Sequence, residues 1–88
     1  MTNSMIQSVV DATVLRIVRN GRNPIVYTET EDGSIILRCQ LSSNEVVQLK
    51  KNGEYYVLTL ADINTAQSVT ADGLTKEQYK EIAMLIGY

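Results

Sequence analysis

The sequence predicts an α+β fold: an antiparallel β-meander of four to five strands, packed by a C-terminal helix and by an N-terminal helix. Two observations carry this prediction. Runs rich in β-branched and aromatic residues alternate with Asx-Gly or Ser/Asn turn signals through the middle of the chain, and a capped amphipathic segment follows them. With 88 residues the chain has the length of one small domain, so we expect a single globular domain over residues 1–88.

Four strands are predicted between about residues 24 and 60. Asp-Gly at 32–33 and Asn-Gly at 52–53 each lie between two β-rich runs, which is the strongest short-range signal for a hairpin. Ser-Ser-Asn at 42–44 supplies the turn between the two hairpins. The second run alternates apolar and polar residues, so Cys39 falls on its apolar face. The predicted strands are 25–30, 35–41, 45–50 and 54–60.

The first twenty residues fit two interpretations. Apolar residues recur from Ile6 to Val18 at the spacing of one helix face, which favours a single helix over residues 5–19. Nearly half of these residues are β-branched, which favours a strand. A helix to Asp11 followed by a fifth strand over residues 13–19, paired with residues 25–30, would satisfy both signals. Both interpretations stay open.

The C-terminal helix is the clearest element. Thr75 and Gln78 have the spacing of a capping box, and Leu74 and Tyr79 flank it as a hydrophobic staple. Gly87 is predicted to end the helix. The apolar stripe of this helix consists of Tyr79, Ile82, Ala83 and Ile86. The small and polar residues 61–71 fit a short helix, an edge strand or a plain connection.

The composition excludes most catalytic and metal chemistry. The chain contains no His, which is the commonest general base and a principal zinc ligand, and it contains only one Cys. Cys39 is interpreted as a small buried hydrophobe, because no His is available to activate it as a nucleophile. We therefore expect a protein that is not an enzyme and that binds no cofactor and no metal.

The charge distribution weighs against nucleic acid as the main partner. The formal net charge is −2 and the pI is about 4.9. The charges are unevenly distributed along the chain. Residues 1–24 contain three arginines and one acidic residue, whereas residues 25–49 are net acidic. A small nucleic-acid-binding β-barrel is the alternative function. It requires one face to combine the arginines with a strand tyrosine: Arg16, Arg19, Arg22 and Arg38 with Tyr27 or Tyr56.

The sequence is interpreted as a small binding protein that acts through protein–protein contacts, as an inhibitor, adaptor or regulatory subunit. A complete, well-capped fold with no catalytic residues and with surplus apolar, Tyr and Arg residues favours this interpretation. Compact proteins of this size are common among phage and mobile-element products, so an origin of that kind fits this interpretation. A further alternative is a structural assembly subunit, for example of a phage particle. The candidate partner-binding residues are Arg16, Arg19, Arg22, Arg38, Tyr27, Tyr56, Met84, Leu85 and Tyr88.

The expected partner is another protein, with nucleic acid disfavoured by the pI and with no membrane involved. The apolar runs are too short to span a bilayer. The first residues lack the basic and apolar regions of a signal peptide, which predicts a cytoplasmic location. Met84 and Leu85 make the C-terminal helix apolar nearly all round, so packing within one chain and homodimer formation are both open.

Overall fold

The computed structural model describes residues 3–20, 25–31, 34–52 and 54–86, and only the backbone at positions 25–27, 29–31, 34, 35 and 52. Along the chain, one helix precedes the five strands and the other follows them. The predicted α+β class and its antiparallel meander are confirmed. The elements are α1 (Asn3–Asn20), β1 (Ile25–Glu31), β2 (Ser34–Gln40), β3 (Glu45–Asn52), β4 (Tyr55–Asp62), β5 (Gln67–Leu74) and α2 (Lys76–Leu85).

The five strands form one sheet whose spatial order is the chain order, β1-β2-β3-β4-β5. The four strands predicted from the sequence are present with small differences at their ends. In the turn between β2 and β3, the Leu41 amide donates to the Glu45 carbonyl at 2.9 Å. The glycines at 33 and 53 lie outside the described residues. Because the order is linear, β1 and β5 are the edges of the described sheet, which is open and is not the barrel of the nucleic-acid alternative.

The N-terminal segment is one continuous helix, so the split interpretation with a strand over residues 13–19 was wrong. Burial of one helical stripe outweighs the low helix propensity of the β-branched residues in it. Thr13 is fully buried. Its hydroxyl donates to the Val9 carbonyl at 2.8 Å, so this buried hydroxyl has a hydrogen-bond partner. The buried stripe consists of Ile6, Val10, Thr13 and Ile17.

The fifth strand is β5, which lies in the segment that the sequence left open. Residues 63–66 connect it to β4, and Asp62 shapes this turn by accepting with Oδ1 from the amides of Asn64 (2.9 Å) and Thr65 (3.1 Å). Ala66 has a φ of 56°, in the left-handed region that favours glycine. The turn therefore stores a small backbone strain at Ala66.

Near its end β5 contains a bulge. The register pairs Tyr56 with Leu74 and Val57 with Asp72, so Gly73 is the extra residue. Gly73 has a φ of 109°, which a residue with a Cβ rarely adopts. The Asp-Gly dipeptide at 72–73 thus forms a bulge with a positive φ.

Both helices cover the same face of the sheet, and the core lies between the helices and the sheet. Leu49 on β3 pairs with Leu37 on one side and with Leu58 on the other, and all three are buried. Cys39 is fully buried on the same face, which confirms its prediction, and burial raises the pKa of its thiol. The helices contribute Ile6, Val10, Ile17, Ile82, Ala83 and Ile86 to this core.

The predicted capping box of α2 is confirmed. Thr75 Oγ1 accepts from the Gln78 amide at 3.2 Å, and Gln78 Oε1 accepts from the Thr75 amide at 2.9 Å. Tyr79 then stacks on Tyr56 of β4, with ring centroids 4.3 Å apart. These contacts fix α2 over β4. Gly87, predicted to end the helix, lies outside the described residues.

Candidate interaction surfaces

At one end of the sheet, Glu45 anchors the C-terminal half of α1. Its side chain is only 11% exposed. Its Oε2 accepts from Arg16 Nη1 at 3.0 Å, and its Oε1 accepts from Asn20 Nδ2 and Ser42 Oγ, each at 3.2 Å. Arg19 Nη2 lies 3.6 Å from Oε2. These five residues, the Glu45 cluster, join the basic start of the chain to its acidic middle.

The environment of Glu45 favours the ionised carboxylate. Burial alone raises its pKa, but hydrogen bonds from Asn20, Ser42 and Arg16, together with the charge of Arg16, lower it by more. The pKa of Glu45 therefore lies below its ordinary value. At neutral pH the cluster therefore contains a buried negative charge that accepts hydrogen bonds from Arg16, Asn20 and Ser42.

Arg16 and Arg19 also reach the surface. Their side chains are 41% and 69% exposed, so the contacts with Glu45 leave part of each guanidinium accessible to solvent. With Ala12 and Leu15 they line a shallow concavity of about 400 Å³ on the outward side of α1. Two of the predicted partner-binding residues are therefore close together, and both also stabilise the fold.

The outward face of α1 carries a seam in which three of the five residues are apolar. Its residues follow the alternating three- and four-residue spacing of a helix-packing stripe, on the side opposite the buried residues. Leu15 is 69% exposed and Met5 is 53% exposed. The sequence analysis missed this face, although Leu15 is an apolar residue of α1 outside the predicted stripe. The α1 seam consists of Met5, Ser8, Ala12, Leu15 and Arg19.

Arg38 lies on the other face of the sheet, away from both helices. Its Nε and Nη2 donate to Gln48 Oε1 at 3.3 and 3.0 Å. The hydroxyls of Thr59 and Thr70 are hydrogen-bonded at 3.4 Å on the same face. This face therefore presents a largely polar row across the strands. The register of the row is Tyr27, Arg38, Gln48, Thr59 and Thr70.

The remaining predicted residues are spread over the molecule. Tyr56 lies on the core side of the sheet, where it stacks on Tyr79, and so does not share a face with Arg38. Met84 and Leu85 are 78% and 41% exposed near the end of α2. Tyr27 pairs with Arg38 in the register, but only its backbone is described. The other two predicted residues, Arg22 and Tyr88, lie outside the described residues.

The core is open at one corner, beside the beginning of β5. Residues 67–70 are all exposed. Val69 pairs with Leu60 on the core side of the sheet, yet it is 49% exposed. The sequence analysis also missed this corner. A notch of about 160 Å³ opens here, lined by Arg16, Leu60, Ala61, Asp62, Gln67, Ser68 and Val69.

The described residues include no group of three or more His, Cys, Asp or Glu that could hold a metal ion. In the described part of the chain, no helix combines the length and the apolar character needed to cross a membrane. Comparison with known proteins found no relative: no protein-family model matches, and searches of curated proteins and of solved structures gave no match.

Proposed function

We propose that this chain is a non-enzymatic binding protein that acts by contacting another protein through the α1 seam. The supporting observation is the exposure of Leu15 and Met5 at helix-packing spacing, opposite a stripe that is already buried. A helix on a protein surface normally carries polar residues on its outward face. Exposed Leu and Met side chains on that face are typical of a surface that a partner covers.

The seam also indicates the chemistry of the partner. Ser8 and Ala12 are small, so a partner helix can approach closely between the larger Met5 and Leu15. At the C-terminal end of the seam, the two charges of Arg16 and Arg19 are opposed by the single charge of Glu45, which leaves one net positive charge. We therefore expect an amphipathic helix with an acidic group at one end, bound as in other helix-recognition modes.

An inhibitor, an adaptor and a regulatory subunit would all use such a surface. The identity of the partner distinguishes these three roles. The nucleic-acid alternative draws less support, because Arg38 lies on the opposite face of the sheet from Arg16 and Arg19. Arg38 shares a row of the sheet with Tyr27, but without Arg16 and Arg19 that row has no cluster of basic residues for binding nucleic acid.

The test is affinity purification from the native cells with quantitative mass spectrometry, comparing wild type, Leu15→Asp and Ile63→Asp. Ile63 is the matched control, because it is 57% exposed in the β4–β5 turn and lies outside the seam. Both substitutions are at exposed positions, so each should change the stability by no more than about 0.5 kcal/mol. We expect one stoichiometric protein with wild type and with Ile63→Asp, and its loss with Leu15→Asp.

Two results would contradict this function. One is the absence of any stoichiometric protein, and the other is a protein that Leu15→Asp retains as well as wild type does. A parallel titration with mixed DNA and RNA at about 50 mM salt tests the alternative, because phosphate-driven binding is strong at low salt. Binding there that is insensitive to Leu15→Asp would favour the nucleic-acid alternative.

A further inference from the structure

We propose that two copies of the chain pair through β5, antiparallel and about a two-fold axis, so that two five-stranded sheets become one continuous sheet. This pairing uses the strand edge and the notch beside Val69. It does not use the α1 seam, so it stands independently of the proposed function.

The first half of β5 is an unprotected strand edge. β5 is the last strand of the described sheet, and residues 67–70 are exposed. Soluble proteins usually protect such an edge with a charge, a proline or a bulge. The sequence Gln-Ser-Val-Thr at 67–70 has neither charge nor proline, and the bulge at Gly73 lies at the other end of the strand. The backbone of 67–70 therefore offers donors and acceptors to another strand.

The helix-covered side of this edge has room for an apolar side chain. Val69 is 49% exposed above the notch, although its neighbour Leu60 belongs to the buried core. Residues opposite each other in an antiparallel pair lie about 4.5–5.5 Å apart. Two-fold pairing about residues 68–70 brings Val69 of the second copy next to Val69 of the first. Each valine then covers the open corner of the core in the other copy.

The charges around the notch favour a neutral occupant. Arg16 pairs with Glu45 at 3.0 Å, and Asp62 accepts from Asn44 Nδ2 at 3.2 Å as well as from the amides of its own turn. Both charged residues that line the notch thus have partners within the chain. The β5 edge of a second copy is equally neutral and therefore fits this site. A two-fold contact of this kind gives a closed dimer, which adds no further copies. Asp72 lies on the bulged half of the strand, away from the axis.

β1, the other edge strand of the described sheet, is less suited than a second β5 to pair with β5. β1 contains Glu29 and Glu31, whereas residues 67–70 of β5 offer no cation to pair with them. Pairing of β1 with β5 would also be head-to-tail, which gives a ring or an open filament instead of a two-fold dimer. The β5–β5 contact is smaller than a standard interface, so we expect a dissociation constant of about 1–100 μM.

The test is sedimentation analysis of the full chain from about 0.5 to 500 μM, which brackets that range. Wild type should form a dimer in a concentration-dependent way. Val69→Lys and Val69→Glu place like charges opposite each other, and each alone should weaken the dimer by about 100-fold or more. An equimolar mixture of the two variants should restore it, because Lys then faces Glu across the axis. Ile63→Lys and Leu15→Asp are the controls and should dimerise as wild type does.

A wild-type monomer throughout this range would overturn the proposal, and so would a dimer that persists in Val69→Lys. Open-ended assembly would also overturn it and would indicate pairing of β1 with β5. Hydrogen exchange on wild type keeps the proposal testable if the charged variants do not fold. The amides of residues 67–70 should exchange more slowly as the protein concentration rises, and no change there contradicts the pairing.

Discussion

Removing the charge of Glu45 should destabilise the fold, because this carboxylate joins α1 to the turn before β3. Glu45→Gln keeps the size of the side chain, and its amide oxygen can still accept from Asn20 and Ser42. Its amide nitrogen, however, replaces Oε2 and faces Arg16 Nη1, so that two donors oppose each other. The variant therefore loses the ion pair without opening a cavity.

The size of the effect follows from the geometry. A hydrogen bond to a charged group contributes about 1.5–3 kcal/mol net. The Arg16 side chain is 41% exposed and can regain water in the variant, which reduces the loss. We expect Glu45→Gln to lower the free energy of unfolding by about 1–2 kcal/mol at neutral pH. In a domain of this size that corresponds to a fall in Tm of about 4–16 °C.

The pH dependence gives a second, independent expectation. The pKa of Glu45 is lower in the folded chain than in the unfolded chain. Its charge therefore contributes fully above the unfolded pKa of about 4.3, and the contribution is lost as the pH falls through the lower folded pKa. Because the glutamine in the variant does not titrate, the difference in stability between wild type and Glu45→Gln should shrink below about pH 4.

Urea unfolding followed by circular dichroism, at about pH 7 and about pH 3, measures both expectations. Glu81→Gln is the control, because Glu81 is an exposed carboxylate on α2 and its substitution should change the stability by less than about 0.5 kcal/mol. The reasoning would be refuted by a loss for Glu45→Gln below about 0.5 kcal/mol at neutral pH. An equal loss at both pH values would refute it as well.

Three further substitutions and one labelling experiment test the fold. Leu58→Ala removes a fully buried side chain from a central strand and should cost about 2.7–5 kcal/mol in urea unfolding, so a loss under about 1 kcal/mol would contradict its place in the core. Thr75→Ala breaks the capping box and should cost about 1 kcal/mol, whereas an unchanged Tm would argue against the cap. Ala66→Gly should stabilise the protein by up to about 1 kcal/mol, because glycine relieves the left-handed backbone, and a clear loss would show that the turn is not strained. The Cys39 thiol should react with a disulfide reagent only as fast as the protein opens, so rapid labelling of the native protein would mean that Cys39 is exposed.

The four strands of the meander could be predicted because their signals are local. Alternation along each strand and the turn residues between strands act over only a few positions. The state of α1 could not be decided in this way, since helical periodicity and β-branched residues gave opposite signals. Packing decided it: in the helix, Val10 and Ile17 lie on one buried face. The strand state of β5 is likewise imposed from outside, by pairing of Ala71 with Leu58.

The candidate surfaces could be predicted only in part. The uneven charge pointed to the arginines of α1, but it could not show that Glu45 is their partner, because that contact joins residues 29 positions apart. Alternation along β2 placed Arg38 on the face opposite Cys39, but only the packing shows that both helices cover the Cys39 face. The exposure of Leu15 was accessible from the sequence, because a helix that buries Ile6, Val10 and Ile17 turns position 15 outward.

Glu45 contacts one residue of each proposed surface: Arg16 lines the notch beside Val69, and Arg19 belongs to the α1 seam. By holding Arg16 and Asn20, Glu45 also joins the C-terminal end of α1 to the turn before β3. Loss of binding in Glu45→Gln would therefore follow from a shift of α1 whichever surface carried the contact. Substitutions at Leu15 and Val69 separate the two surfaces, because neither side chain belongs to the Glu45 cluster and each lies on only one of them.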